Sequence, residues 1–331
     1  MKIELKSRAT SYCNLKLFLM FLVIYGHLIE PCVSENRILY EIYRIIYMVH
    51  MPLLVFLSGR FLKSRKSCMK QTRKALGWYG ATQVMGMLFV HFEEGGKAGF
   101  LTPYWHLWYL LSLAGWSLIG VCYYFLVEHW QWWKSLYVKI GLILVAIIAG
   151  CLAGKETEIN RRGSLSRTIV FLPYFLAGMF WKEEWDEKKN SRIGKICLII
   201  GVSLYIMIRK ELSVIFLYQA ESYGNLNSTK GCYLRFMCYL IGGLWSFFFL
   251  TYKWDKKFSF TKAGTDTMMI YVLHAPIVRL VWEFSEWIPW YEVVVPFIAI
   301  WIIWGLYKIF QWSGEMYMIT GRKGIQRNGC F

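Results

Sequence analysis

Two residues in the first apolar stretch have the types and spacing to work together. Lys16 and His27 stand eleven positions apart. At 100° per residue, eleven steps overshoot three full helical turns by about 20°, so both lie on one helix face. Their axial separation is roughly 16 Å. A lysine at one end would hold an anionic head, and a histidine at the other would act on a reactive tail. A long donor such as acyl-CoA has that layout, with phosphates at Lys16 and a thioester near His27. A plainer reading uses the same residues: His27 packs at the helix end while Lys16 snorkels to lipid phosphates.

Two further histidines stand beside prolines within apolar stretches. His50 lies in Val49-His50-Met51-Pro52, and His274 in Tyr271-Val272-Leu273-His274-Ala275-Pro276. Pro52 cannot donate to the Met48 carbonyl, so a backbone acceptor is released mid-helix, which is tolerated where a cavity is lined. Tyr271 lies one turn from His274 and can share its face. Lining a substrate cavity and packing as hydrogen-bonded structural histidines both account for His50 and His274. Lys70 and Arg73 are i, i+3 partners in a basic stretch, where Arg73 would grip phosphate as a fork and Lys70 as a point charge. A charge run that sets membrane orientation explains the same pair. Rings around Trp105 would stack on a sugar, or anchor the chain at an interface. Glu30, Glu283 and Glu286 read as solvated rim carboxylates.

The elements that must position these residues are helices in a bilayer. The chain has 331 residues, of which 56% are hydrophobic and only 18% charged. An ordinary soluble domain carries about 25% charged residues. The expected fold is therefore all-α, a polytopic membrane protein formed as one domain over residues 1–331. Ten spans are expected: Tyr12–Leu28, Ile38–Leu62, Leu76–Phe92, Tyr104–Val127, Leu136–Leu152, Thr168–Trp181, Ile193–Ile208, Cys232–Tyr252, Thr267–Phe284 and Val293–Phe310. Tyr218 to Gly231 reads as a polar external loop.

The net charge of +17 has a membrane explanation, and no nucleic-acid partner is expected. Basic groups before the first span, after the second, fourth, sixth and eighth, and at the chain end all fall on one side if both termini are cytoplasmic. The nine cysteines form no C-x-x-C pair and read as packing residues, without a metal site or disulfide framework.

Several segments together resemble the acyltransferase 3 family of integral membrane acyltransferases. Leu15-Lys16-Leu17 through Tyr25-Gly26-His27 looks like its first-helix motif. His50-Met51-Pro52 with Phe56-Leu57-Ser58-Gly59 is similar to its second-helix signature. Lys70-Gln71-Thr72-Arg73 sits at the usual R-x-x-R position, with lysine in the first place. Tyr104 to Leu110, Phe171 to Gly178 and Ile270 to His274 resemble further segments. The departure at Lys70 keeps charge but loses bidentate phosphate recognition.

The resemblance implies transfer of an acyl group, usually acetyl, from cytoplasmic acyl-CoA (acetyl-CoA) to a hydroxyl of a carbohydrate acceptor at the cell membrane. It makes the chain an O-acetyltransferase of the compact sugar-modifying type, with membrane lipids as its surroundings. Carried across by position, His27 would be catalytic, Lys16, Lys70 and Arg73 would serve the donor, and His50 and His274 would line the cavity. Tyr271 and Trp105 are the further expected substrate contacts. His27 would act as a general base on the acceptor hydroxyl or take the acyl group itself, and both routes need neutral imidazole. The competing class is a transporter or flippase for a glycan or lipid-linked precursor, which Pro-interrupted helices also suit.

Overall fold

The computed structural model describes residues 2–93, 99–155, 162–182, 184–187, 190–224, 226–265 and 267–319. Among them the regular structure is helical, and a helix lies over each of the ten expected stretches. These are α1 (Lys2–Ile29), α2 (Arg37–Arg60), α3 (Arg65–Glu93), α4 (Trp108–His129), α5 (Leu136–Ala153), α6 (Leu165–Phe180), α7 (Ser191–Ile208), α8 (Ser228–Thr251), α9 (Thr267–Glu283) and α10 (Tyr291–Ile319). Among the described residues, seven helices are long and apolar enough to cross a membrane. The other three are α3, which is long but polar, α6 with 16 residues and α9 with 17. The outward faces of α5, α7 and α10 expose large apolar side chains such as Leu144, Ile199 and Phe297. Such faces suit lipid as the solvent. The basic groups at Arg161, Lys188, Lys189 and Arg322 to Arg327 lie outside the described residues.

The chain forms two compact units, Met1–His50 with Tyr252–Phe331, and Met51–Thr251. In the first, α1 packs against α9, α10 and a 3-10 turn at Thr261–Thr265. Asn14 binds that turn and its approach to α1. Its amide nitrogen donates to the carbonyls of Trp254 at 2.6 Å and Lys256 at 2.7 Å, and its oxygen accepts from Thr261 Oγ1 at 2.8 Å. A β-carbon at Gly264 would overlap the Cys13 carbonyl, so the turn lies directly on α1 backbone. Cys13 departs from the expectation of packing thiols, because it is disulfide-bonded. Among the described residues, seven other cysteines are free.

In the second unit the helices pack in the series α3–α4–α6–α5–α8–α7. The second half of α2 meets α6 at two glycines. A β-carbon at Gly59 would overlap the Phe175 carbonyl oxygen, and one at Gly178 would overlap the Phe56 carbonyl oxygen. Each glycine therefore sits on the carbonyl three residues before the other. Beside this crossing, Ser58 Oγ donates to Leu54 O at 2.8 Å and meets the Tyr109 hydroxyl at 2.5 Å. Arg60 and Asp186 form an ion pair at 2.6 Å, their side chains 7% and 4% exposed, and Trp181 Nε1 donates to the second carboxylate oxygen at 2.9 Å. Paired and hydrogen-bonded on both oxygens, that buried carboxylate meets the condition under which burial is tolerated.

The stretch expected as a polar external loop is partly folded inward. Gln219, Ala220 and Tyr223 are buried, and the Tyr223 hydroxyl donates to Cys151 O. The Tyr223 ring lies where β-carbons at Gly154 and Gly231 would be, so two glycines make room for one phenol.

The α2–α6 crossing gives a stability prediction. Gly59→Ala or Gly178→Ala forces the helices apart and costs about 1–3 kcal/mol, the usual scale of overpacking. Thermal unfolding of detergent-purified protein, followed by size exclusion, should show both variants melting below wild type. Gly243→Ala, whose added methyl meets nothing within 4 Å, should not be destabilised. Equal melting of all four proteins would contradict the close approach.

Candidate active site

The first unit brings together three expected histidines from three helices. His27 lies in the last turn of α1, His50 in the middle of α2 and His274 in the middle of α9. The His27 and His274 rings stack, with centroids 5.5 Å apart and planes 24° from parallel. His50 packs edge-on to the Tyr47 ring at 4.8 Å, and both it and His274 lie within electrostatic range of His27. Gly26 sets the approach of α1 to α2, since a β-carbon there would lie 3.4 Å from an Ile46 methyl group.

All three imidazoles engage Nδ1 with an acceptor. His50 Nδ1 donates to Ile46 O at 2.7 Å, and His274 Nδ1 to Tyr271 O at 2.6 Å. His27 Nδ1 lies 3.4 Å from Glu30 Oε2. A carbonyl or carboxylate oxygen cannot donate, so the hydrogen belongs on Nδ1 in each case, and the proton-accepting nitrogen is Nε2. Glu30 is therefore more than the solvated rim carboxylate expected for it. It sits on a 3-10 turn directly after α1 and turns its carboxylate to the His27 ring. The His27 and Glu30 side chains are 13% and 29% exposed, which leaves the pair shielded but reachable.

The end of α1 is fixed by donors from the neighbouring helices. Its last carbonyls have no intrahelical partner. Trp282 Nε1, near the end of α9, donates to His27 O at 3.1 Å. The Tyr291 hydroxyl, at the start of α10, donates to Leu28 O at 2.8 Å. Asn36 on the following loop donates to Glu292 at 2.5 Å.

The remaining expected residues are placed as follows. Lys16 is half-buried on α1, on the helix that carries His27. Tyr271 is buried, and its ring lies 5.8 Å from the His274 ring. Lys70 and Arg73 are both exposed one turn apart on α3 of the second unit. Trp105, also in the second unit, opens a 3-10 turn with φ +38° and packs edge-on against buried His106. Four contributors escaped the sequence reading: Glu30, Trp282, Tyr291 and Asn14. The i, i+3 spacing of His27 and Glu30 was a usable signal for the first, and an amide within an apolar stretch was one for Asn14.

A family model described as an acyltransferase domain matches residues 13–308. The chain belongs to the acyltransferase 3 family. The match runs from the start of the α1 span into α10 and includes every residue of the histidine cluster. Membership makes the protein a multi-pass membrane acyltransferase. No curated protein and no solved structure gives a significant match.

The capping of α1 is testable apart from any reaction. Tyr291→Phe keeps the ring, Trp282→Phe keeps a smaller aromatic ring, and each removes one donor to the last turn of α1. Each should cost about 0.5–1.5 kcal/mol, read as a lower midpoint of thermal unfolding in detergent. Wild-type midpoints in both variants would show that these bonds do not hold the helix end.

Proposed function

We propose that this acyltransferase moves an acyl group, acetyl in the simplest case, from cytoplasmic acyl-CoA to a hydroxyl of a cell-surface or precursor carbohydrate. The observation that carries the reading is His27, with its Nδ1 turned to Glu30 and its ring stacked on His274. In the reaction, His27 Nε2 removes the acceptor hydroxyl proton as that oxygen attacks the thioester carbonyl carbon. The tetrahedral intermediate then collapses with cleavage of the carbon–sulfur bond. The imidazolium returns the proton to the departing thiolate, giving the ester and free CoA thiol. Glu30 holds the tautomer and balances the imidazolium charge in between.

The donor side is assigned to Lys16 on α1 and to Lys70 and Arg73 on α3, each of which would pair with phosphate. Acceptor contacts are assigned to His50, Tyr271, His274 and Trp105. Ten membrane crossings, both termini cytoplasmic and location in the cell membrane belong to the same proposal. They rest on the basic residues that recur after alternate spans.

The test uses full-length protein in nanodiscs with labelled acetyl-CoA and a panel of glycans, with mass spectrometry of cell-surface polysaccharide beside it. One acyl mass should disappear from the polysaccharide when the gene is removed. His27→Ala should lower turnover by about 10²- to 10⁴-fold, the usual share of a general base. Glu30→Gln should cause a smaller fall in kcat with KM unchanged. Glycan transport without acyl transfer, indifferent to His27→Ala, would reject the enzyme reading. An acyl-histidine trapped in the absence of acceptor would replace the base mechanism with a relay.

A further inference from the structure

A second feature of the first unit lies away from the histidines. A cavity of about 350 Å³ opens beside the middle of α1, where Asn14 lies. Its volume is at the low end of the range for small-ligand sites. On α1 it is lined by Asn14, Leu17, Phe18 and Phe21, and on α10 by Ile300, Ile303, Trp304 and Tyr307. Both sets follow the i, i+3, i+4, i+7 pattern, so each helix presents one straight stripe. The space between them is a groove running along the helix axes for roughly 10 Å. On the α1 wheel the stripe is centred about 140° from the line joining Lys16 and His27. The groove thus faces away from the assigned donor path.

The third wall is the segment between α8 and α9, which contributes Trp254, Phe258, Phe260 and Ala263. These apolar residues alternate with Lys253, Lys256, Lys257 and Lys262, all exposed, against two acids in the segment, Asp255 and Asp266. Lys308, next to Tyr307 on α10, is exposed as well. Phe258 and Phe260 stack 5.5 Å apart at 7°, and each remains about half exposed at 49% and 47%. Asn14 fixes the segment on α1 through three hydrogen bonds. An apolar slot parallel to the helices, with cations at one rim, is shaped for an amphiphile with an anionic head.

We infer that this groove holds one acyl chain of an anionic phospholipid whose phosphate lies on the lysines of 253–262. The site is separate from the acyl-transfer reading and stands or falls without it. The chain lies along Leu17, Phe18 and Phe21 on one side and Ile303 and Trp304 on the other. Lys256, Lys257 and Lys262 provide the preference for an anionic head.

The experiment uses full-length protein in nanodiscs with diazirine-tailed phosphatidylglycerol or phosphatidylcholine, and maps the cross-linked peptides by mass spectrometry. Peptides containing residues 14–21, 254–263 and 300–307 should label more heavily with phosphatidylglycerol. The expected preference is about fivefold for each lysine engaged, the usual contribution of one basic residue at an anionic surface. Replacing the exposed Lys256, Lys257 and Lys262 with glutamine should bring the ratio close to one. Ala263→Phe should reduce labelling by both lipids. Equal labelling in the wild type would overturn the site, as would a ratio untouched by the lysine replacements. Cross-links from these peptides to a second copy of the chain would also overturn it, and so would loss of labelling on adding acetyl-CoA, which would make the groove part of the donor path.

Discussion

The carbonyls at the end of α1 must find donors, and that requirement organises the first unit. A helix that stops within or near hydrocarbon cannot rely on water for its last carbonyls. Here an indole from α9 and a phenol from α10 supply the bonds to His27 and Leu28. The same two contacts bring α9 alongside α1, which places His274 against His27. Glu30 follows because it sits on the turn that the capped end begins. Imidazole orientation and helix termination are therefore one problem with one solution. An imidazole held this way needs no separate scaffold, because the backbone bonds that close the helix also fix the ring.

The second unit depends on close backbone approach instead of capping. Gly59 against Gly178 joins α2 to α6, and Gly150 receives the Tyr239 hydroxyl as it donates to Val170 O at 2.7 Å. Close contact of this kind suits a membrane interior, where apolar surfaces gain little from leaving lipid and packing must supply the association. Around these contacts, polar side chains settle on backbone carbonyls. Trp116 donates to Thr168 O at 2.7 Å, and Lys63 donates to Met179 O and Trp181 O at the end of α6. Gln83 gathers the carbonyls of Gly99 and Thr102 and the Tyr104 amide, which shapes the segment leading to Trp105.

Much of this was legible in the residues. Hydropathy located the seven helices that are long and apolar enough to cross a membrane among the described residues, because apolar stretches of that length have few other options in a chain with so little charge. The spacing of Lys16 and His27 put them on one helix face, and the proximity of histidine to proline singled out His50 and His274. The hydrogen-bonding partner of His27 was less visible because Glu30 falls just past the helix, where a carboxylate usually meets water. Trp282 and Tyr291 were hidden among other interfacial aromatics, whose composition says nothing about which N–H or O–H meets a carbonyl 255 or 263 positions away. The inward fold of Tyr223 was missed for a related reason. A polar stretch signals exposure on average, while Gly154, one of the two glycines that admit the buried ring, lies far from it in sequence.

The α2–α6 crossing carries an evolutionary consequence. Each glycine abuts a peptide oxygen, not a side chain, and every amino acid brings the same oxygen to that place. A bulkier residue at position 59 or 178 therefore has no compensating replacement across the contact. The two sites should drift independently of their neighbours' identities yet tolerate nothing larger themselves, and genetic suppressors of either change should map to the helices' remaining faces, where tilt can be altered.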